Sequence, residues 1–512
     1  IVIKHDANDD FESFSTALDS VAGRDQTLEL QDLSVDIGEF DPLDRGAACL
    51  ASGNVDTLVR AVDSGKRILN ALLLLAVKPN TSMPWWLALC QAAWENTSWT
   101  VCDVNTFQPL AHIYWGLAAT TGASTVWHMD ACGLATAIHC SFGKKLWIVR
   151  KRDEFDDATL GHLMDEKYDL EAGQEHSEAI LLDNTMTLIM PPGLQHAVYT
   201  SESSVAEGCH FFTSRTLLDT LVALSHSFIC HEFITNTTRP ETRVLLRRLQ
   251  HFAHRGLVRG VSLKPSEVHH LPNLEAPIGG QVDSKAVFDF LSLCTLSLFA
   301  EALDPRTYVG PGQALSSSPN AAERKIVEEL CQSILKPQER REICLARGCA
   351  RECLEWFRDH FEARSVTGDT IVDLPAVFIK HFAQAILRYK FVADKNDIAA
   401  DGHAWFSVFQ AQIEASLYMF MDVWIAWREL TADGKWLSDG LDYCVRGSDQ
   451  KGSWLRETLV PNHHHFRIFR KAGASKQSRS IDEMEAFGRR DRDEKYLIAK
   501  QEQHTITLDA HL

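Results

Sequence analysis

Between Ala111 and Phe212 the sequence is cut into short apolar runs, HIYWGLAA, TAIHCSF, KLWIVR, MTLIMPP and AVYTS, separated by Gly, Pro and polar turns. Runs of this length and spacing read as strands, and several in succession predict a closed or sandwiched antiparallel sheet. After Ser214 the period changes. TLLDTLVALSHSFICHEFI, the stretch from Ala322 to Phe361 and AWFSVFQAQIEASLYMFMDVWIAWREL place apolar residues at i, i+3, i+4 and i+7. That spacing predicts a chiefly helical C-terminal half and an α+β fold class.

Ahead of the strand-like region, the segment from Asp56 to Val77 begins with helical periodicity and turns into the near-continuous run ILNALLLLAV. A helix feeding a buried strand is expected there. Trp85, Trp86, Trp94 and Trp99 crowd the next segment and read as a core layer. The polar, acidic stretch from Asp153 to Ala179 reads as an insertion between two strands, and Leu263–Gly280 and Asp304–Pro319 as linkers. The charged tail from Lys471 to Lys500 is expected to fray. With 512 residues and no internal repeat, the expected units are an N-terminal extension (1–80), a barrel (81–220), a helical domain (221–470) and the tail (471–512).

Composition narrows the partners. Apolar residues make up 45% and charged residues 23% of the chain, ordinary values for a folded protein. The longest apolar run is about half of the roughly 20 residues that a bilayer span needs, so no membrane segment is expected. A formal charge of −18 disfavours nucleic acid and favours a basic partner such as a histone tail. The 13 scattered cysteines fit free thiols in a reducing nuclear or cytoplasmic setting rather than a secreted disulfide framework. The sequons at Asn80, Asn96 and Asn236 are accordingly expected to be chance matches, although the chain begins at Ile1 rather than Met. Oligomeric state is not legible.

Chemistry concentrates in three short stretches: Thr125-Val-Trp-His128-Met-Asp130, Gly143-Lys-Lys145-Leu-Trp and Pro191-Pro-Gly-Leu-Gln-His196-Ala-Val-Tyr. On a strand, residues two apart project to one face, so His128 and Asp130 would both point into a barrel. His196 opens a distant strand and can supply a third ligand. Two histidines and one carboxylate leave open the positions that non-haem Fe(II) oxygenases use for a bidentate co-substrate and dioxygen. His-x-Asp alone is weak, since a core histidine bonded to a neighbour is the commoner case. A dicarboxylate co-substrate would further need a buried cation and a hydroxyl, for which Lys145 and Thr125 are candidates.

From about Leu58 to Thr220, a third of the chain, the sequence resembles the JmjC domain of histone lysine demethylases, in particular the branch joined to F-box or PHD-finger modules. The shared motifs are SGK-RILN ending at Asn70, T-x-x-H-x-D from Thr125 to Asp130, G-x-K-x-W from Gly143 to Trp147, and P-x-G-x-x-H-A-V-Y-T from Pro191 to Thr200. The resemblance implies a double-stranded β-helix, the jelly-roll or cupin-like barrel. It implies Fe(II) on His128, Asp130 and His196, 2-oxoglutarate held by Lys145 and Thr125, and Asn70 as a weaker co-substrate contact. Two departures stand out: Ile138, beside His139, replaces a co-substrate-facing tyrosine, and Gly208-Cys209-His210 replaces a Gly-Gly-Asn pattern. His210 is a candidate for the co-substrate or substrate side of the pocket, with a packed core histidine as the alternative.

The expected activity is 2-oxoglutarate-dependent demethylation of N-methyl-lysine on a basic protein tail. A protein or RNA hydroxylase with the same iron site, and a non-catalytic scaffold, are the competing readings. Cys344, Cys349 and Cys353 with His360 lack paired C-x-x-C knuckles and read as helix positions rather than a zinc site, and His463-His464-His465 as a solvated turn.

Overall fold

In a computed structural model, the described residues are 1–4, 11–24, 26–34, 50–74, 89–97, 109, 113–150, 177–229, 240–261, 271–308, 335, 337–367, 369–396, 402–417, 459–461 and 463–472. The N-terminal part runs β1 (Val2–Lys4), α1 (Phe14–Val21), β2 (Leu28–Asp32), β3 (Leu50–Gly53), α2 (Val55–Ser64), β4 (Leu69–Leu74) and α3 (Leu89–Thr97). The strand-rich part follows with β5 (Tyr114–Ala119), β6 (Ser124–His128), β7 (Ala135–Arg150), β8 (Ser177–Leu182), β9 (Met186–Met190) and β10 (His196–Phe211). Then come α4 (Leu217–Ile229), α5 (Arg243–Ala253), β11 (Gln281–Val282), α6 (Ser284–Leu298) and α7 (Pro337–His360). The last elements are β12 (Phe361–Ser365), β13 (Ile371–Val372), α8 (Leu374–Asn396), α9 (Gly402–Leu417) and β14 (Phe466–Arg470).

The expected α+β class, with a mainly helical C-terminal half, is what the structure has. Among the described residues all strand pairs are antiparallel, and ten strands join in one sheet ordered β1-β9-β7-β10-β5-β4-β2-β3, with β6 on β10 and β8 on β7. The helix expected from Asp56 feeds a strand as anticipated: α2, capped by a reciprocal Asn54–Thr57 box, leads into β4.

Two 16-residue strands organise the sheet. β7 follows β10 along its whole length, from Val149 opposite His196 to Ala135 opposite Phe211. On its other edge β10 pairs β6 over His196–Tyr199 and β5 over Ser204–Cys209. β7 divides likewise, giving Thr136–His139 to β9 and Lys145–Arg150 to β8. Three register slips between Thr200 and Ala206 mark the hand-over, opposite Gly143. There φ is +72° and a Cβ would stand 2.1 Å from Ser203 O, so only glycine lets the strands cross here. TAIHCSF and KLWIVR, separate in the sequence reading, are therefore one bent strand.

Three apolar clusters result. One packs Ala135, Ala137, Cys209 and Phe211 of the long strands against α4 to α9. A second seats α1 and α2 on β2 and β4. The third, around Trp115, Ile138, Cys140, Trp147, Val149, Leu188, Met190, Val198 and Ala206, lies on the opposite face of β7 and β10. A small sheet ordered β11-β14-β12-β13 was not expected; its strands FEARS and FRIFR carry too many charges to show a strand pattern. The three histidines 463–465 form a turn before β14, as anticipated.

Among the described residues no helix is long and apolar enough to cross a membrane. Of the expected insertion, residues 153–176 lie outside the described residues and Ser177–Ala179 open β8. Trp85, Trp86, Trp99, residues 263–270 of the first linker, residues 309–319 of the second and the tail beyond residue 472 also lie outside them, whereas Trp94 sits in α3.

Candidate metal centre

β10 alternates strictly at its start. His196, Val198 and Thr200 are buried, while Tyr199 between them is 44% exposed. Pairing carries this inner face to the neighbours: His128 lies opposite His196 on β6, and Trp147 and Lys145 lie opposite Val198 and Thr200 on β7. β6 gains a residue between its contacts with His196 and Val198, so Thr125, three positions before His128, lies opposite Val198 on this same side. Asp130 keeps an extended backbone at φ −69°, ψ 136° two residues beyond His128.

One ligand atom from each of His128, Asp130 and His196 lies within 4.8 Å of the other two, so the group could hold a metal ion. The imidazole protons are already assigned by the backbone. His128 Nδ1 is 2.8 Å from Val126 O and His196 Nδ1 is 2.9 Å from Leu194 O. A carbonyl only accepts, so both Nδ1 atoms carry hydrogen and both Nε2 lone pairs are left for a metal. Trp147 stacks on His196 with centroids 5.2 Å apart, fixing that ring further.

Charge states match this role. Burial would raise the Asp130 carboxyl, but His210, His196 and His128 and the Thr136 hydroxyl outweigh it and hold it down to about 2. Burial, with His196 adjacent, lowers His128 to about 4. At neutral pH the carboxyl is ionised and His128 neutral, the forms that ligate.

Thr136 on β7 donates its hydroxyl to Asp130 Oδ2. Its oxygen also lies 2.9 Å from His210 Nδ1 on β10, which must therefore be the donor in that pair. His210 thus reaches the centre through Thr136 and Asp130, a relay that local sequence does not show.

Two turns adjoining the ligands rest on one helix. In the turn after Asp130, Cys132 has φ 61° and a Cβ at Gly133 would come within 2.5 Å of Thr220 O on α4. In the turn before His196, a Cβ at Gly193 would stand 3.1 Å from Ala223 Cβ, also on α4. α4 is the platform against which both loops are set.

Of the adjacent lysines, Lys144 pairs at the surface with Glu202 at 2.7 Å, whereas Lys145 is 2% exposed. Lys145 Nζ donates to Thr200 Oγ1 at 3.1 Å. No carboxylate pairs with it among the described residues, and burial lowers its pKa to about 8. Thr125, on the other side of β10, receives Asn70 Nδ2 at 3.4 Å, and Asn70 also donates to Gln31 Oε1 at 3.3 Å. Asn70 and Thr125 are thus brought together, while the hydroxyl touching Lys145 is Thr200. Thr200 was legible as a member of the 196, 198, 200 alternation. The indole N–H groups of Trp115 and Trp147, both in the inner cluster, are buried with no acceptor among the described residues. Ile138 is 1% exposed in the same cluster.

The cysteines of α7, read as helix positions rather than a zinc site, do not gather His360. His360 Nδ1 bonds to Trp356 O at 2.8 Å, while Cys349 pairs with histidines of α5. No family model matches the chain, and no curated protein matches it.

Proposed function

We propose that this chain is an Fe(II)- and 2-oxoglutarate-dependent dioxygenase of the JmjC type, its large sheet wrapped as a double-stranded β-helix. One observation carries the reading: the His128–Asp130–His196 group shares the inner face of β10 with Lys145, a buried ammonium lacking a carboxylate. A buried charge without a partner is costly, and it persists where a ligand supplies the opposite charge. The spare donors nearby, two indole N–H groups and two protons of Lys145, ask for a ligand rich in acceptors. A dicarboxylate such as 2-oxoglutarate is of that kind.

In this reading His128, Asp130 and His196 hold Fe(II), which when bound supplies dioxygen activation coupled to oxidative decarboxylation of 2-oxoglutarate to succinate and carbon dioxide. The chain supplies the rest. Val126 O and Leu194 O keep the ligand imidazoles in the Nδ1–H form, and the His210–Thr136 relay orients Asp130. Lys145 with Thr200 neutralises the distal carboxylate, and Asn70 and Thr125 line the site across β10. Ile138, Trp115 and Trp147 exclude water around them. Ile138 offers no hydroxyl, so Thr200 takes the part that the family branch gives to a tyrosine.

The substrate is a C–H bond of a protein side chain, foremost an N-methyl group of lysine on a basic tail such as a histone's. The charge of −18 favours its approach, and a nuclear site of action follows. The test is anaerobic titration with Fe(II) and 2-oxoglutarate, then turnover on methylated histone peptides. Wild type should show a metal-to-ligand charge-transfer band that Asp130→Ala abolishes. Formaldehyde release supports demethylation, a stable gain of one oxygen points to hydroxylation, and absence of the band in wild type rejects the oxygenase reading.

A further inference from the structure

A second cluster of reactive side chains lies in the helical half. α5 carries His251 and, three residues on, His254, where its turns widen into a π-helical turn over His254–Val258. The wide turn is closed by Arg259 N donating to His254 O at 3.1 Å. α7 packs alongside and presents Cys349 and Glu352 at the same spacing of three, which places each pair on one helix face. The two faces meet. Cys349 Sγ is 3.2 Å from His251 Nδ1, and His254 Nε2 is 2.7 Å from Glu352 Oε2, which Arg259 Nη2 also approaches at 3.0 Å. His254, one turn on from His251, also faces the Cys349 side chain.

A thiol thus lies against one imidazole, His251, and next to a second, His254, that a carboxylate orients, a setting of the kind in which nucleophilic cysteines are activated. Single π-turns recur at functional sites, because they re-aim side chains that a regular helix would not bring together. Burial acting alone would raise the thiol and lower the imidazole. The pair does the reverse: His254 and His251 hold Cys349 well below the ordinary thiol range, and Cys349 and Glu352 push His254 up to about 9. Both directions favour a proton on His254 and a negative charge on Cys349.

Four other thiols among the described residues lack this setting. Burial pushes Cys90 and Cys140 up to about 11 and Cys209 up to about 12. Cys353, one turn along α7, is raised well above the thiol range by burial and by Cys294 of α6, and Gln250 donates to it at 3.4 Å. The groups facing Cys349 are thus His251 and His254 from α5, Arg259 beyond it, and Glu352 and Cys353 from its own helix. Cys349 itself is half-buried.

We infer that Cys349 is a modification site, a thiolate that reacts with small peroxides while His254 donates the proton and Glu352 orients His254. The sulfur attacks one peroxide oxygen, an S–O bond forms and the O–O bond breaks. Sulfur is oxidised to the sulfenic acid, and the departing hydroxide takes the His254 proton to leave as water. The inference is independent of the metal centre, since none of these residues belongs to it.

The experiment treats the full chain with iodoacetamide from about pH 5 to pH 10, and separately with hydrogen peroxide plus dimedone, reading each cysteine by peptide mass spectrometry. Cys349 should be alkylated at about pH 6 at least tenfold faster than any other cysteine and should carry the dimedone adduct. His254→Gln should slow alkylation about tenfold at pH 6 and leave it unchanged at pH 10, and Glu352→Gln should shift the profile in the same direction. A wild-type Cys349 whose rate rises only through about pH 8.5, as for an ordinary thiol, overturns the inference whether or not the variants fold.

Discussion

Lys145 decides most at the scale of single residues. Its depression to about 8 corresponds to about 3 kcal/mol opposing the charged form at neutral pH in the ligand-free protein. The sign is the reverse of an ion-paired lysine. Below pH 8 folded and unfolded chains both carry the charge and the cost is full; between about 8 and 10.4 the folded state sheds its proton first, so stability rises with pH. Lys145→Met should raise the melting temperature of the metal-free protein at pH 7 while weakening 2-oxoglutarate binding by about a hundredfold or more, as read by thermal melts and anaerobic titration. A melting temperature that falls would show that the ammonium is already neutralised in the free protein. Thr136 matters through its two hydrogen bonds. Thr136→Val should weaken Fe(II) or Co(II) binding by about 10–100-fold with Thr136→Ser restoring it, the outcome for a residue that orients a ligand rather than fills space.

At the scale of elements, α4 and the two bent strands set the centre. β7 and β10 can serve both lobes of the sheet only because they bend opposite Gly143, and that bend places Lys145 and Thr200 on the face that His196 opens. α4 then fixes the turns flanking Asp130 and His196 through Thr220 and Ala223. Ala223→Leu, which touches no ligand, should press on the turn at Gly193 and lower metal affinity about tenfold, with the far-ultraviolet circular dichroism unchanged. Unaltered metal titration in a folded Ala223→Leu protein would show that the turn holds its shape without the helix.

Among the described residues the long strands and the helical half are joined through one large apolar cluster, which runs from Ala135 and Phe211 through α4 to Ile468 on β14. α4 covers the Ala135–Phe211 face of the sheet and is itself covered by α6 and α8. Residues 1–229 expressed alone should expose Leu217, Leu221, Leu224 and Phe228 and should bind a hydrophobic dye or aggregate, whereas the full chain should not. A soluble, dye-negative fragment would show that the strand-rich half closes its own core. Buried pairs such as Arg247–Glu342, 3.2 Å apart between α5 and α7, add specificity to this packing.

What the sequence determined by itself was the class of the fold and the group of residues that could hold a metal ion. Period two before residue 212 and period 3.6 after it follow from backbone geometry alone, and His128, Asp130 and His196 were legible because two lie on one extended segment and the third opens another. The tertiary structure decided what depends on long-range pairing. It made one strand of two runs, gave Lys145 the hydroxyl of Thr200 while Thr125 met Asn70, sent His210 to Asp130 by way of Thr136, and paired Cys349 and Glu352 each with a histidine 98 residues away. Each is a contact between strands or helices distant in the chain. Register and helix packing create such contacts, and local spacing carries no record of them.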